Sequence, residues 1–103
     1  MMKAEEYLKE NIRKNPRDPM NYYYLGKEIM NRRLRDIESL EIIEKLLKQS
    51  IKLGPHLWAP KIMLGELLYK IGRVKEAEPY FKETLETQIP DNSTVKEYLT
   101  KCL

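Results

Sequence analysis

The chain has 103 residues, of which 42% are hydrophobic and 34% are charged, and its formal net charge is +3. This length suits one domain with one continuous core, and the composition excludes an intrinsically disordered chain. Cys102 is the single cysteine, which excludes an internal disulfide and favours a reducing, cytoplasmic location. No membrane span is predicted, because no stretch approaches the apolar length that crossing a bilayer requires.

Strand signals are absent, and the spacing of apolar residues instead predicts six helices separated by proline and glycine. The first helix is expected to end before Pro16, because a residue that precedes proline avoids the helical region. Asp18 is the predicted N-cap of the second helix, and Pro19 follows at its first position. Gly54 and Pro55 then end the third helix. The predicted helices span residues 3–15, 20–33, 36–53, 57–71, 74–88 and 93–102.

The fourth and fifth predicted helices carry small and large apolar residues in the pattern of a closely packed pair. Gly65 and Ala77 are small, and two helix axes approach closely only where small residues lie at the crossing. Gly72 lies between the two periodic segments and is predicted to end the first of them. We therefore predict an antiparallel helical hairpin. The large residues expected to fill the space beside the crossing are Leu64, Leu68, Phe81 and Leu85.

This pattern resembles the tetratricopeptide repeat, a helix-turn-helix unit of about 34 residues that stacks into a right-handed solenoid. Thr84 departs from the resemblance, because the family prefers alanine there. Lys61 stands where the family prefers a large aromatic residue, and Trp58 is the candidate to supply that bulk. The residues that carry the resemblance are Leu64, Gly65, Leu68, Gly72, Ala77, Phe81 and Pro90.

A second copy of the pattern lies upstream, where Gly26 matches Gly65. These glycines are 39 residues apart, so about five residues are inserted relative to the repeat. The insertion falls within residues 32–40 and keeps helical spacing, which predicts that it lengthens one or both helices. Ile43 in place of an alanine predicts a wider crossing. The other matches are Leu25 for Leu64, Leu47 for Phe81 and Ser50 for Thr84, and the expected buried stripe is Ile37, Leu40, Ile43, Leu47 and Ile51.

A partial third copy opens the chain, where Ala4, Leu8 and Pro16 match the second helix of a repeat. The sequence thus predicts an all-α solenoid of antiparallel helix pairs, a tetratricopeptide-like right-handed superhelix of about six helices. We expect a single domain over residues 1–103. Its parts are a half-repeat helix at 1–16, a repeat with an insertion at 17–55, a repeat at 56–90 and a C-terminal capping helix at 91–103.

The resemblance also implies a binding surface, because in this family the first helices of successive repeats line a concave groove for extended peptides or a partner helix. Methionine and tyrosine, which are frequent at the corresponding positions, suit adaptable and amphipathic contacts. The candidates from the first full repeat are Met20, Tyr23, Tyr24, Lys27, Met30 and Asn31. Those from the second are Ala59, Ile62, Met63, Glu66, Tyr69 and Lys70.

An alternative role for these residues is to fill gaps between stacked repeats. For Tyr23, Met63 and Tyr69 the sequence favours gap filling and partner contact equally. Tyr22 is expected in the core, but three consecutive tyrosines span about 200 degrees of a helix and cannot all face it. Some members of the family hold a C-terminal carboxylate with basic residues on these helices. That pattern does not carry over, because residues such as Tyr23 and Ala59 occupy the positions where it needs them.

The leading functional hypothesis is therefore a non-enzymatic protein–protein interaction module that binds a peptide or an amphipathic helix in the groove. No catalytic site, metal site or cofactor is expected, because no phosphate loop and no Cys/His cluster has the required spacing. His56 is the single histidine, and its position at a helix start favours a cap or a surface residue over a general base.

Two alternatives remain. One is a structural unit that self-associates through its terminal helices, with Tyr7, Leu8 and Ile12 exposed at the start and Val95 or Tyr98 at the end. The weaker one is nucleic-acid binding, because residues 1–35 carry nine Lys or Arg and five Asp or Glu. We disfavour it, because cations at helix C-termini stabilise helices. The basic residues of that part include Arg13, Lys14, Arg17, Arg32, Arg33 and Arg35.

Overall fold

The computed structural model describes residues 3–33, 36–86 and 92–102, which form six α-helices and contain no strand. The prediction of an all-α fold with about six helices is confirmed. Pro90, Arg35 and the last two residues of the predicted helix 74–88 lie outside the described residues. The helices are α1 (Ala4–Lys14), α2 (Pro19–Arg33), α3 (Ile37–Leu53), α4 (Trp58–Lys70), α5 (Val74–Glu86) and α6 (Ser93–Cys102).

The chain divides into two compact units, Met1–Pro55 and His56–Leu103. The first unit contains α1, α2 and α3, and the second contains α4, α5 and α6. In each unit two consecutive helices form a hairpin, and the third helix packs against it.

The starts of α2 and α3 are fixed by aspartate side chains. Asp18 Oδ1 accepts a hydrogen bond of 3.0 Å from the backbone N–H of Met20, and Pro19 is the first residue of α2, as predicted. Asp36 is the N-cap of α3, where its Oδ1 accepts from the backbone N–H of Ser39 at 2.7 Å. These bonds satisfy donors that the first turn of a helix leaves unpaired.

The hairpin of the first unit is antiparallel, because the start of α2 lies beside the end of α3. Ser50 Oγ donates a hydrogen bond of 2.7 Å to the carbonyl of Pro19, and Ser50 is fully buried. Further along, Gly26 lies against Leu47. The core of this unit is formed by Leu25, Ile29, Ile43 and Leu47, each at most 4% exposed.

The predicted apolar stripe of α3 is wrong at its first residue. Ile43 and Leu47 are fully buried, but Ile37 is 75% exposed. Six residues separate Ile37 from Ile43, which places it about 120° around the helix from the buried side. Ser39, one turn before Ile43, takes the buried place, and its hydroxyl donates to Asp36 Oδ2 at 3.1 Å.

The inserted residues of the first hairpin lengthen both of its helices. α2 has 15 residues and α3 has 17, whereas α4 and α5 have 13 each. α1 packs on α2, where Asn21 Nδ2 donates to the carbonyl of Asn11 at 3.2 Å. None of the residues of α1 is fully buried, so this helix lies on the surface of its unit.

Gly72 ends α4 as predicted. Its φ is +90°, in the left-handed region that favours glycine. The backbone N–H of Gly72 donates to the carbonyl of Tyr69 at 3.1 Å, and that of Arg73 donates to the carbonyl of Leu68 at 2.8 Å. This pair of bonds is the Schellman motif, which satisfies carbonyls at a helix end and turns the chain back into α5.

Gly65 and Ala77 are both buried in the hairpin of the second unit, as predicted. A Cβ atom built on Gly65 would lie 2.8 Å from two ring carbons of Phe81, so α4 rests directly on that ring. The prediction for Leu85 is wrong, because this side chain is 37% exposed. Thr84, fully buried with its hydroxyl donating to the carbonyl of Tyr80, fills that turn instead.

At the matching position of the first hairpin, Gly26 has more room around it than Gly65 has in the second. A Cβ atom on Gly26 would lie 3.5 Å from the nearest atom of Leu47, which is an ordinary contact. Trp58, by contrast, does not supply a buried aromatic residue, because it is 39% exposed. Lys61 occupies the buried position itself at 8% exposure, with its Nζ 3.4 Å from Glu83 Oε2 on α5. Its aliphatic stem fills the space, and its charge is paired across the hairpin.

α6 packs on the second hairpin through one aromatic residue and one aliphatic residue. Tyr98 stacks on Phe81 with ring centroids 5.1 Å apart, and its edge meets Tyr69 at 5.3 Å. Val95 is fully buried, so the expectation that it is exposed at an open end is wrong. The half-buried residues of α6 are Tyr98, Leu99 and Cys102, one and two turns after Val95, which is the spacing of a helix that buries one face.

Candidate partner-binding faces

The sequence-predicted residues of α2 lie on the accessible side of that helix. Leu25, Gly26 and Ile29 face the core, whereas Tyr24 is 46% exposed. We call the accessible set the α2 face. It consists of the half-buried Met20, Tyr23 and Met30 and the exposed Tyr24, Lys27 and Asn31.

The three consecutive tyrosines have three different environments. Tyr22 is half-buried rather than fully buried, and its hydroxyl donates to the carbonyl of Pro16 at 2.7 Å. Tyr23 is half-buried against Tyr24, with ring centroids 5.5 Å apart. One ring therefore connects α2 to the turn that precedes it, and the other two form an aromatic pair on the α2 face.

The sequence-predicted residues of α4 also remain accessible, although this helix is more buried than α2. Its inner side carries Leu64, Gly65, Leu67 and Leu68, all of them buried. We call the opposite set the α4 face. It consists of the half-buried Ala59, Ile62, Met63, Glu66 and Tyr69 and the exposed Lys70.

Tyr69 of the α4 face contacts another helix. Its ring meets the ring of Tyr98 edge to face, an arrangement that stabilises aromatic pairs. Tyr69 therefore fills the space between α4 and α6, which is the gap-filling role that the sequence left open. The spacing of Val95, Tyr98 and Cys102 was the signal for this contact, because it marks one side of α6 as apolar.

Glu66 is the anionic member of the α4 face. Burial raises the pKa of its carboxyl group above the ordinary value of 4.5, and the nearby positive charge of Lys70 lowers it in part. Ile62 and Met63 precede Glu66 by four and three residues, so they lie on the same side of α4. The ionised carboxylate thus lies in a partly apolar setting that disfavours its charge.

Two cations near helix ends in the first unit, Arg13 and Arg32, pair with carboxylates on their own helices. Arg13 Nε donates to Glu10 Oε2 at 3.0 Å in the last turn of α1, and Arg32 forms an ion pair with Glu28 in α2. Such exposed pairs contribute little to the stability of the fold, because water and salt screen them. This arrangement favours the helix-end explanation of the basic residues over a nucleic-acid surface. Arg35 and the side chain of Arg33 lie outside the described part.

The described residues contain no candidate metal site. Within residues 3–33, 36–86 and 92–102, no group of three or more His, Cys, Asp or Glu side chains is placed to hold a metal ion. His56 is exposed. In the same ranges, no helix has both the length and the apolar character needed to cross a membrane. A shallow depression of about 240 Å³ lies along α3, but it is lined by charged residues of that helix, Glu41, Glu44, Lys45 and Lys48.

Comparison of the chain with models of known protein families and with curated protein sequences gives no match. The resemblance to tetratricopeptide repeats therefore depends on the chain's own residues. The structure of each hairpin supports the equivalence of the two sequence copies, because Gly26 lies against Leu47 and Gly65 lies against Phe81. These are the pairs that the alignment of the two copies matches.

Proposed function

We propose that the chain is a non-enzymatic protein-interaction module, related to tetratricopeptide repeats, in which the α2 face and the α4 face are each a surface for a peptide or an amphipathic helix. The observation that supports this proposal is the accessibility of both faces. All twelve residues of the two faces are described, and each is exposed or half-buried. Eight of them are methionine, tyrosine, isoleucine or alanine, a composition that suits contact with a partner.

The kind of partner follows from the side chains on the α2 face. Met20 and Met30 are flexible and adapt to the shape of an apolar segment. Tyr23 and Tyr24 combine a large apolar ring with a hydroxyl group, and they lose little conformational freedom on binding. Lys27 lies exposed beside them. An amphipathic segment, with one apolar side and one polar side, fits this mixture.

The two hairpins hold these faces in place without the partner. Capping by Asp18 and the hydrogen-bonded turn at Gly72 fix the start of α2 and the end of α4. Binding to a preformed surface avoids the cost of ordering that surface. This supports a binding role for helices whose inner sides are already packed.

The test uses the partner that the full chain captures from its native source, identified by mass spectrometry and then purified. The change is Tyr24→Ala with Ile62→Ala, which removes one apolar contact from each face. Capture is expected to be lost while the circular dichroism spectrum and melting temperature stay close to those of the unchanged chain. Ile37→Ala is the matched control, because Ile37 is 75% exposed on α3 and belongs to neither face. Capture by the double variant would overturn the proposal.

Methyl signals give a second readout of the same binding. In a chain labelled at methionine and isoleucine methyl groups, the purified partner is expected to shift the signals of Met20, Met30 and Ile62. Ile37 and the fully buried Ile43 serve as unchanged references. Shifts confined to Ile37 would place the partner on α3 and contradict the proposal.

Self-association through α1 is a second candidate, and one observation favours it. Tyr7 is 58% exposed on a helix that has no fully buried residue. Sedimentation of the unchanged chain and of Tyr7→Ser at high concentration tests it. A dimer that Tyr7→Ser removes would support self-association, and a monomer in both cases would reject it.

A further inference from the structure

Glu66 lies at the centre of the α4 face, where apolar residues surround it along the helix. Ile62 and Met63 are one turn before it, and Tyr69 is one turn after it. All four side chains are half-buried. A carboxylate at this place interrupts what is otherwise an apolar contact surface.

Glu66 also differs from other glutamates of the chain in its partners. Glu28, Glu44 and Glu78 each form an ion pair with a lysine or arginine one turn later on the same helix. Within the three described ranges, Glu66 has no cation at ion-pair distance and no hydrogen-bond partner. Lys70 is one turn later and exposed, and it acts on Glu66 only through its more distant charge.

A half-buried carboxylate without a close partner costs free energy, because ionised groups lose hydration when they are buried. A cation brought by a binding partner would remove part of that cost. Apolar residues on each side of the pair would exclude water and strengthen the attraction. An acidic group brought to the same place would meet a like charge in a partly dry environment, which is strongly unfavourable.

We infer that the segment bound at the α4 face carries a lysine or arginine that pairs with Glu66, with apolar residues beside it that contact Ile62 and Met63. This inference rests on the proposed function, because it assigns a chemistry to the partner of the same face. The positive charge of Lys70 disfavours a second cation one helical turn, about 5.4 Å, further along. The partner is therefore basic at the position beside Glu66, and neutral or acidic one helical turn further along, beside Lys70.

The experiment selects binders on the full chain from a displayed library of amphipathic helical peptides. Leucine is fixed along one side of each peptide, and the remaining positions are random. Selections are run in parallel on the unchanged chain, on Glu66→Gln and on Glu66→Lys. The control is Glu41→Gln, which makes the same charge change on the exposed side of α3. Peptides that also bind an unrelated helical protein are discarded.

Lysine or arginine is expected at one enriched position in the selections on the unchanged chain and on Glu41→Gln. This preference should vanish with Glu66→Gln and change to aspartate or glutamate with Glu66→Lys. A selected peptide should lose about tenfold in affinity for Glu66→Gln, which corresponds to one hydrogen bond to a charged group. The same peptide should keep its affinity for Glu41→Gln.

Three outcomes separate the inference from the function on which it rests. Peptides that shift the methyl signals of Ile62 and Met63 without any basic preference would reject the pairing with Glu66 and leave the docking face intact. A basic preference that survives Glu66→Gln would also reject it. If no selected peptide shifts those signals, the docking face itself is rejected, and the proposed function fails with it.

Discussion

Gly65 lies flat against the ring of Phe81. A Cβ atom at Gly65 would come within 2.8 Å of both Cε1 and Cζ of that ring, closer than such atoms are found in folded proteins. The ring is fully buried, so it has little room to move. This contact explains why the second hairpin needs a glycine in the middle of α4, where glycine is otherwise unfavourable by about 1 kcal/mol.

We expect Gly65→Ala to lower the free energy of unfolding. Overpacking of a well-filled core costs about 1–3 kcal/mol, whereas the better helix propensity of alanine contributes about 1 kcal/mol at most. Urea denaturation followed by circular dichroism measures the difference. Adding Phe81→Leu to Gly65→Ala should recover part of the loss, because the first hairpin has leucine opposite its glycine. Unchanged or higher stability of Gly65→Ala would show that the Phe81 ring moves to make room for the added Cβ atom.

Gly26→Ala is expected to have the opposite effect. A Cβ atom there would meet Leu47 at 3.5 Å and Leu46 at 3.7 Å, which are ordinary contacts. Only the gain in helix propensity remains, so the free energy of unfolding should rise by up to about 1 kcal/mol. The same denaturation measurement compares it with Gly65→Ala. A loss at both glycines would mean that the two hairpins are equally tight.

The sequence predicted the hairpins because their information is local. Asp18 and Gly72 act through hydrogen bonds to the backbone within a few residues. Aspartate is typical of helix starts and glycine of helix ends, so both roles can be predicted from residue type. The burial of Ile37 and Leu85 was predicted wrongly, because it depends on how each helix is rotated about its own axis. The sequence left that rotation uncertain. The apolar character of Ile37 predicts that it is buried. The first turn of α3 is instead oriented by Asp36, whose side chain holds Ser39 at the buried position.

The candidate faces were predictable only in part. The accessible residues of α2 and α4 follow from helical spacing once their inner sides are known. The contact between Tyr69 and Tyr98 was not predicted, because it depends on how α6 docks on a helix whose Tyr69 lies 29 positions earlier in the sequence. The burial of Lys61 was also unexpected, because a lysine is seldom buried without a partner. Nothing in the sequence indicated that Glu83 is that partner.

Gly72→Ala is expected to destabilise the second unit through the backbone alone. The φ of +90° at Gly72 is unfavourable for alanine by about 1–2 kcal/mol, and no atom lies within 4 Å of the added Cβ. Gly72→Asn should cost less, because asparagine tolerates positive φ better. Thermal melting of both variants measures the order. Equal losses for the two would point to a cause other than backbone conformation.

Tyr98→Ala is expected to loosen α6 more than the rest of the second unit. The variant removes the ring that stacks on Phe81 and meets Tyr69, and such aromatic pairs contribute about 0.5–1.5 kcal/mol beyond their buried area. Hydrogen exchange of backbone amides should quicken in α6 and change less in α4. Tyr98→Phe is the matched control, because it keeps the ring and should keep the protection. Similar exchange in both variants would contradict a role for the ring.

Glu66→Gln is expected to stabilise the fold at neutral pH. The pKa of Glu66 is raised in the folded chain, chiefly by burial, so the folded state holds the proton more tightly than the unfolded state does. Above the folded pKa the ionised carboxylate therefore opposes folding, and glutamine removes that cost. The lost attraction to Lys70 offsets part of the gain.

The advantage of Glu66→Gln should depend on pH in a defined direction. As the pH falls through the folded pKa, the native carboxylate of the unchanged chain takes up its proton, and its stability approaches that of the variant. The difference should be smallest once the pH lies below 4.5, the ordinary value for the carboxyl group. Melting temperatures measured across this range test the trend, with Glu41→Gln as the control. If Glu66→Gln is instead less stable than the unchanged chain at neutral pH, by a margin that shrinks on acidification, a cation pairs with Glu66 in the free chain, and the carboxylate has no need of a basic partner.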